Sequence, residues 1–125
     1  MAKIMLVDDS KLVRKKLTDI LTRAGHNIVC ECERGDDALN AYRTYKPDIV
    51  TMDINMPGMN GTQLLAQAAA ICPGSLRIIV SGQTMNRAMQ AGLRKGEIHH
   101  YFEKQHSYEP VRACIRDWLA ARARD

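Results

Sequence analysis

The sequence predicts an α/β fold, a three-layer sandwich in which a five-stranded parallel sheet lies between five helices. Three observations carry this. Short apolar runs stop abruptly at polar residues, the pattern of strands buried on both faces. A segment of helical period follows each run, so strand and helix alternate along the whole chain. Glycine and proline punctuate the junctions. At 125 residues, the expectation is one domain over 1–125, able to bury roughly two thirds of its unfolded surface without disulfides.

Lys3 to Val7 is the first apolar run, and it ends in Asp8-Asp9-Ser10. Ser10 or Asp9 can cap the helix that follows. Over Lys11 to Ala24, residues Val13, Leu17, Ile20, Leu21 and Ala24 recur at helical spacing; Lys11, Arg14, Lys15 and Arg23 fall on other faces, and Gly25 supplies the stop. His26 to Glu33 reads as a strand around Ile28, Val29 and Cys30, and Asp36 to Tyr45 as a helix ended by Lys46-Pro47-Asp48. Ile49 to Met52 is a strand that delivers Asp53 to its C-terminal end, before a tight Pro/Gly/Asn-rich loop. Asp53 alone could equally cap the helix beginning near Thr62. Leu64 to Ile71 is strongly helix-forming and stops at Cys72-Pro73-Gly74. Arg77 to Ser81 is a further buried strand. Met85 to Lys95 is a weaker helix interrupted by Gly92, His99 to Phe102 a last strand, and Pro110 to Arg122 a closing helix with Val111, Ile115, Trp118 and Leu119 inward.

Composition excludes several classes. Hydrophobic residues at 46% with 26% charged are ordinary for a globular protein. Cys30, Cys32, Cys72 and Cys114 form no C-x-x-C pair, and no secretory leader is visible, so they read as reduced thiols in a cytoplasmic chain. Cys30 and Cys32 alternate on a strand and point the same way, but two thiols without further ligands make a poor zinc site. No run approaches the roughly 20 apolar residues of a membrane span. The net charge of +4 raises nucleic acid as a partner. The basic residues are instead spread over three helices without aromatic interleaving, which reads as solvated faces suited to an acidic protein surface.

In a parallel sheet with right-handed crossovers, all strand C-termini share one edge. Asp8, Asp9, Asp53, Ser81 and Lys104 then converge there. Two carboxylates about 4 Å apart repel by roughly 1 kcal/mol even in water, and more in a cleft. An oxygen-rich site with two or three carboxylates suits Mg²⁺, which keeps waters and leaves room for phosphate oxygens. A carboxylate can itself attack phosphorus. The set therefore points to phosphoryl chemistry.

Asp8-Asp9 after the first strand, Asp53 in D-x-N-M-P-G-M-x-G, Ser81 after the fourth strand and Lys104 after the fifth resemble the receiver domain of bacterial two-component response regulators. Because nothing follows the fifth helix, the resemblance is to the CheY-like single-domain type, with no output domain. It implies a flavodoxin/CheY-like sheet of order 2-1-3-4-5, a feature taken from the family. It implies that Asp53 is the phosphoacceptor, that Asp9, Asp53 and the carbonyl of Asn55 hold Mg²⁺ with Asp8 assisting through water, and that Lys104 and Ser81 contact the phosphoryl oxygens. Ser81 and Tyr101 would form the switch, and Asn55 and Gln83 would modulate dephosphorylation. The implied partners are a histidine kinase or phosphotransfer protein and a downstream protein target on the face of the fourth helix, fifth strand and fifth helix, with roles in chemotaxis or a phosphorelay. A monomer or weak dimer is expected, and no enzyme beyond its own phosphorylation and dephosphorylation.

Two departures stand out. Gln105 follows Lys104 where the family has proline; a non-proline cis bond costs roughly 2.5 to 4 kcal/mol, so a trans peptide is expected. The stretch Lys95 to His100 also reads as about one residue longer than is usual in the family, which would reshape the output face. Three alternatives compete. A haloacid dehalogenase-type hydrolase places its nucleophilic Asp on the first strand in D-x-D, whereas here the residues are Asp8-Asp9-Ser10. A flavodoxin needs a phosphate loop that acidic residues would repel. A pseudo-receiver would be a binding scaffold that takes no phosphate.

Overall fold

Among the described residues, ten elements alternate in the order the apolar runs predict: β1 (Lys3–Val7), α1 (Lys11–Arg23), β2 (Asn27–Cys32), α2 (Gly35–Tyr45), β3 (Ile49–Met52), α3 (Gly61–Ile71), β4 (Leu76–Ser81), α4 (Arg87–Lys95), β5 (His100–Glu103) and α5 (Glu109–Ala123). The structure, a computed structural model, describes residues 2–56, 60–105 and 107–123. Pro57-Gly58-Met59 of the motif loop lies outside them. The sheet has the order β2-β1-β3-β4-β5, with every pair parallel.

Side chains alternate across the pleat, so each strand feeds two cores. On one face Met5, Val7, Val50, Met52 and Ile79 pack against Ala38 and Tyr42 of α2, Leu64 and Leu65 of α3, and Met89 of α4. On the other, Ile4, Leu6, Ile49, Ile78 and Val80 pack against Val13, Leu17 and Leu21 of α1 and Val111 and Ile115 of α5. β1, β3 and β4 are central and covered on both sides. That is why their sequences are continuous apolar runs.

Several local expectations are corrected. The side chain of Ser10 caps α1 by accepting from the Val13 amide, but Ala24 is exposed, and Arg14, expected on an outer face, is buried. Asn60, not Asp53, caps α3. α4 begins at Arg87 behind an Asn86 cap, leaving Met85 exposed outside the helix. Gly92 does not interrupt α4. An added Cβ there would lie 2.5 Å from Ile98 Cδ1, so the helix needs a bare backbone where buried Ile98 plugs in. The stretch after α4 turns at Gly96 in the left-handed conformation. It is clamped by Arg77 of β4, which is 2% exposed and donates from Nε to the carbonyl of Glu97 at 2.8 Å and from Nη2 to that of Gly96 at 2.9 Å.

Candidate functional site

Three backbone bonds carry the sheet ladder one residue past its strands. The Asp8 amide donates to the Cys32 carbonyl at 2.9 Å, that of Asp53 to Val7 at 2.9 Å, and that of Lys104 to Ser81 at 2.8 Å. Each polar residue is thus fixed at the sheet's C-terminal edge by the same hydrogen bonds that set strand register. Asp8, Asp9 and Asp53 each bring a carboxylate oxygen within 4.8 Å of the others. Asp8 and Asp53 are buried and Asp9 is exposed, so the cluster opens to solvent on one side.

Lys104 answers part of this charge. Its Nζ lies 3.0 Å from Asp53 Oδ2 and 3.2 Å from Asp8 Oδ2. Burial works against the ammonium, but the hydrogen bond to Asp53 and the charges of both acids hold its pKa above the usual lysine value. Burial raises the Asp8 carboxyl, while the Ser10 amide and Lys104 pull it down. The Ser10 amide reaches Asp8 Oδ1 at 2.8 Å, and the Asn55 amide reaches Asp53 Oδ1 at 3.1 Å. Three carboxylates against one ammonium leave about two negative charges, the complement of a divalent cation, and all the donors are oxygen. The cluster fits Mg²⁺ on both counts.

The turn after Asp53 is tight for a visible reason. A Cβ on Gly61 would sit 2.7 Å from Ile54 Cα and 3.2 Å from the Asp53 carbonyl. α3 therefore starts directly against the loop that carries Asp53 and Asn55, and only glycine allows the approach.

The other residues singled out in the sequence form a chain beside the acids. Ser81 is fully buried and its hydroxyl accepts from the Gln83 amide at 3.1 Å. The Gln83 carbonyl in turn accepts from the Tyr101 hydroxyl. Tyr101 is half-buried against the α2, α3 and α4 core. Among the described residues every peptide bond is trans, Lys104–Gln105 included, as expected for Gln105 in place of proline.

The pattern of the family described as response regulator receiver domain matches residues 4–116. The chain belongs to that family. As a receiver domain it is 35% identical to the chemotaxis protein CheY of Thermotoga maritima over 94 residues, 75% of this chain and 78% of that protein. It is 37% identical to CheY of Bacillus subtilis over 87 residues, 70% of this chain and 72% of that one. A CheY-like receiver domain protein from Methanospirillum hungatei superposes with a TM-score of 0.88 over 99% of this chain and 98% of the other, at 21% identity. That last likeness speaks for the fold alone. Among the described residues, no helix of the receiver is long and apolar enough to cross a membrane.

Arg14 is the residue that sequence reasoning missed. It lies four residues after Ser10 and three before Leu17, on the inward stripe of α1, and that spacing was the available signal.

Proposed function

We propose that this chain is a stand-alone, cytoplasmic response regulator that accepts a phosphoryl group on Asp53 from a histidine kinase or phosphotransfer protein in a Mg²⁺-dependent reaction. It then signals by phosphorylation-dependent binding to a protein partner, in chemotaxis or a phosphorelay. The observation that carries this reading is the grouping of the Asp53 carboxylate with Asp8, Asp9 and Lys104 at the sheet's open edge. In the proposed step an Asp53 carboxylate oxygen attacks phosphorus, and the P–N or P–O bond to the donor breaks with its electron pair leaving on the donor.

Asp8, Asp9, Asp53 and the carbonyl of Asn55 would hold Mg²⁺, which supplies neutralisation of the phosphoryl charge when bound. Lys104 orients the Asp53 carboxylate and then pairs with the incoming oxygens. The Ser81 hydroxyl accepts from Gln83 and so keeps its own proton to donate. When Ser81 turns toward a phosphoryl oxygen it gives up the Gln83 amide. The Gln83 carbonyl holds Tyr101, so the change reaches β5 as a shift between two arrangements. Asn55 and Gln83 would flank the path of an attacking water and so modulate the phosphoryl lifetime. The α4, β5 and α5 face is the docking surface for the target. Arg87, Arg94 and Lys95 are exposed on α4, which suits an acidic partner.

Intact-protein mass after incubation with acetyl phosphate and Mg²⁺ tests the reading. A gain of one phosphoryl group, lost in Asp53→Ala and in EDTA, is expected. No gain with any donor would leave a receiver fold that acts as a pseudo-receiver scaffold.

A further inference from the structure

Arg14 is 7% exposed, a charge where the helical stripe would take an apolar side chain. Burying a guanidinium is costly unless its donors are met. Here Nη1 donates to the carbonyl of Asp8 at 2.6 Å, Nε to Glu31 at 3.1 Å and Nη2 to Glu33 at 3.1 Å. The planar fork thus ties one main-chain oxygen to two carboxylates at the end of β2. The Asp8 amide is held from the same side, by the Cys32 carbonyl at 2.9 Å. Residues 31 to 33 therefore grip Asp8 at both its backbone groups, directly at N–H and through Arg14 at C=O. That C=O belongs to the peptide plane joining Asp8 to Asp9, two of the three acids of the cluster.

We propose that Arg14 is a positioning residue for the cation site of Asp8, Asp9 and Asp53. It fixes the Asp8–Asp9 peptide plane so that both carboxylates face Asp53, and Glu31 and Glu33 hold Arg14 in turn. The proposal rests on the Mg²⁺ reading above. Partners that orient metal ligands without touching the metal commonly matter by about 10- to 100-fold in affinity.

Electrostatics alone predicts the opposite sign. Arg14 with Glu31 and Glu33 carries one positive and two negative charges, a net of −1. Deleting the cation leaves a more negative surround, which would draw Mg²⁺ more tightly. Loss of positioning weakens binding. The double variant Arg14→Met/Glu31→Gln removes the tether while Glu33 keeps the local charge at −1, so it separates the two effects.

Calorimetric titration of Mg²⁺ into the full chain and these variants, well below each unfolding midpoint, decides the matter. We expect binding about tenfold weaker in Arg14→Met/Glu31→Gln. Arg14→Lys should be intermediate, because an ammonium keeps the charge but cannot serve three acceptors in one plane. The Asp9 and Ser10 amide resonances should shift in both before any metal is added. Equal or tighter Mg²⁺ binding in the charge-matched variant, with only its unfolding midpoint lowered, overturns the proposal and leaves the metal reading intact. If that variant does not fold, native affinity in Arg14→Lys overturns it equally. A native chain that binds Mg²⁺ no better than Asp53→Asn sinks the metal reading itself, and the positioning role with it.

Discussion

Lys104 Nζ and Asp53 Oδ2 lie 3.0 Å apart across 51 residues of sequence, and the Lys104 amide is pinned to the Ser81 carbonyl at 2.8 Å. The side chain therefore leaves β5 from a fixed point and reaches across β4 to β3. Its ammonium also sits 3.2 Å from Asp8, so it occupies the same pair of carboxylates that a cation would use. Replacing Lys104 with Met should have two opposite effects. Phosphorylation by acetyl phosphate should slow by about 100-fold, the scale of losing one preorganised donor to developing charge. Mg²⁺ binding should tighten, because a competing positive charge is gone. Mass-resolved rates and a Mg²⁺ titration on the same variant check both. An unchanged rate would mean that the pairing with Asp53 has no part in phosphoryl transfer.

Acid should weaken the fold through histidine before it reaches the carboxylates. His99 Nδ1 accepts the Arg77 amide at 2.9 Å. Burial, and after it the charges of Arg77 and His100, lower its pKa from 6.5. The unfolded chain therefore takes up this proton first as pH falls. Stability is fully present above about pH 6.5 and is lost as pH falls toward the folded-state value, below which the loss levels off. His26, lowered mainly by burial, adds to the same slope. We expect urea midpoints to drop between pH 7.5 and 5.5 in the native chain and to drop less in His99→Asn, whose amide oxygen can still accept from Arg77. Equal slopes in the two proteins would remove His99 from the account.

The residues at the strand ends were legible because they break rules. An acid at the tip of a doubly buried strand has no place in a core, and Asp8 and Asp53 stand out from Leu-Val and Thr-Met for that reason. The order of the strands was not legible, since periodicity identifies β1 and β4 equally and says nothing about which strand each pairs with. The partners of the two buried arginines were not legible, for one physical cause. Patterning does not name the groups that satisfy a buried guanidinium, because those of Arg14 and Arg77 lie far away in sequence, Glu31 and Glu33 in one case and the Glu97 and Gly96 carbonyls in the other. Gly92 was misread in the same way. A glycine inside a helix looks like a weakness until its contact with Ile98 is known.

Gly61 and Gly92 are both close-approach glycines, but their neighbours differ in a way that can be tested. In α4 the atom nearest an added methyl is Ile98 Cδ1 at 2.5 Å, the far end of a side chain. In α3 it is the backbone Cα of Ile54 at 2.7 Å. Alanine is intrinsically better than glycine in a helix by roughly 1 kcal/mol, so any net loss measures the clash. Gly92→Ala should cost about 1 to 3 kcal/mol as overpacking, and adding Ile98→Val, which deletes Cδ1 but leaves a γ carbon where Cγ1 would lie 2.9 Å from the added methyl, should recover part of it. The double variant would then be more stable than the sum of the single effects. Gly61→Ala has no such remedy, because the obstacle is the main chain between Asp53 and Asn55. It should also slow phosphorylation at Asp53, whereas Gly92→Ala/Ile98→Val should not. Chemical denaturation of the four variants with acetyl phosphate rates would check this, and a Gly61→Ala protein with native rate and stability would show that α3 can retreat from the Asp53 loop without consequence.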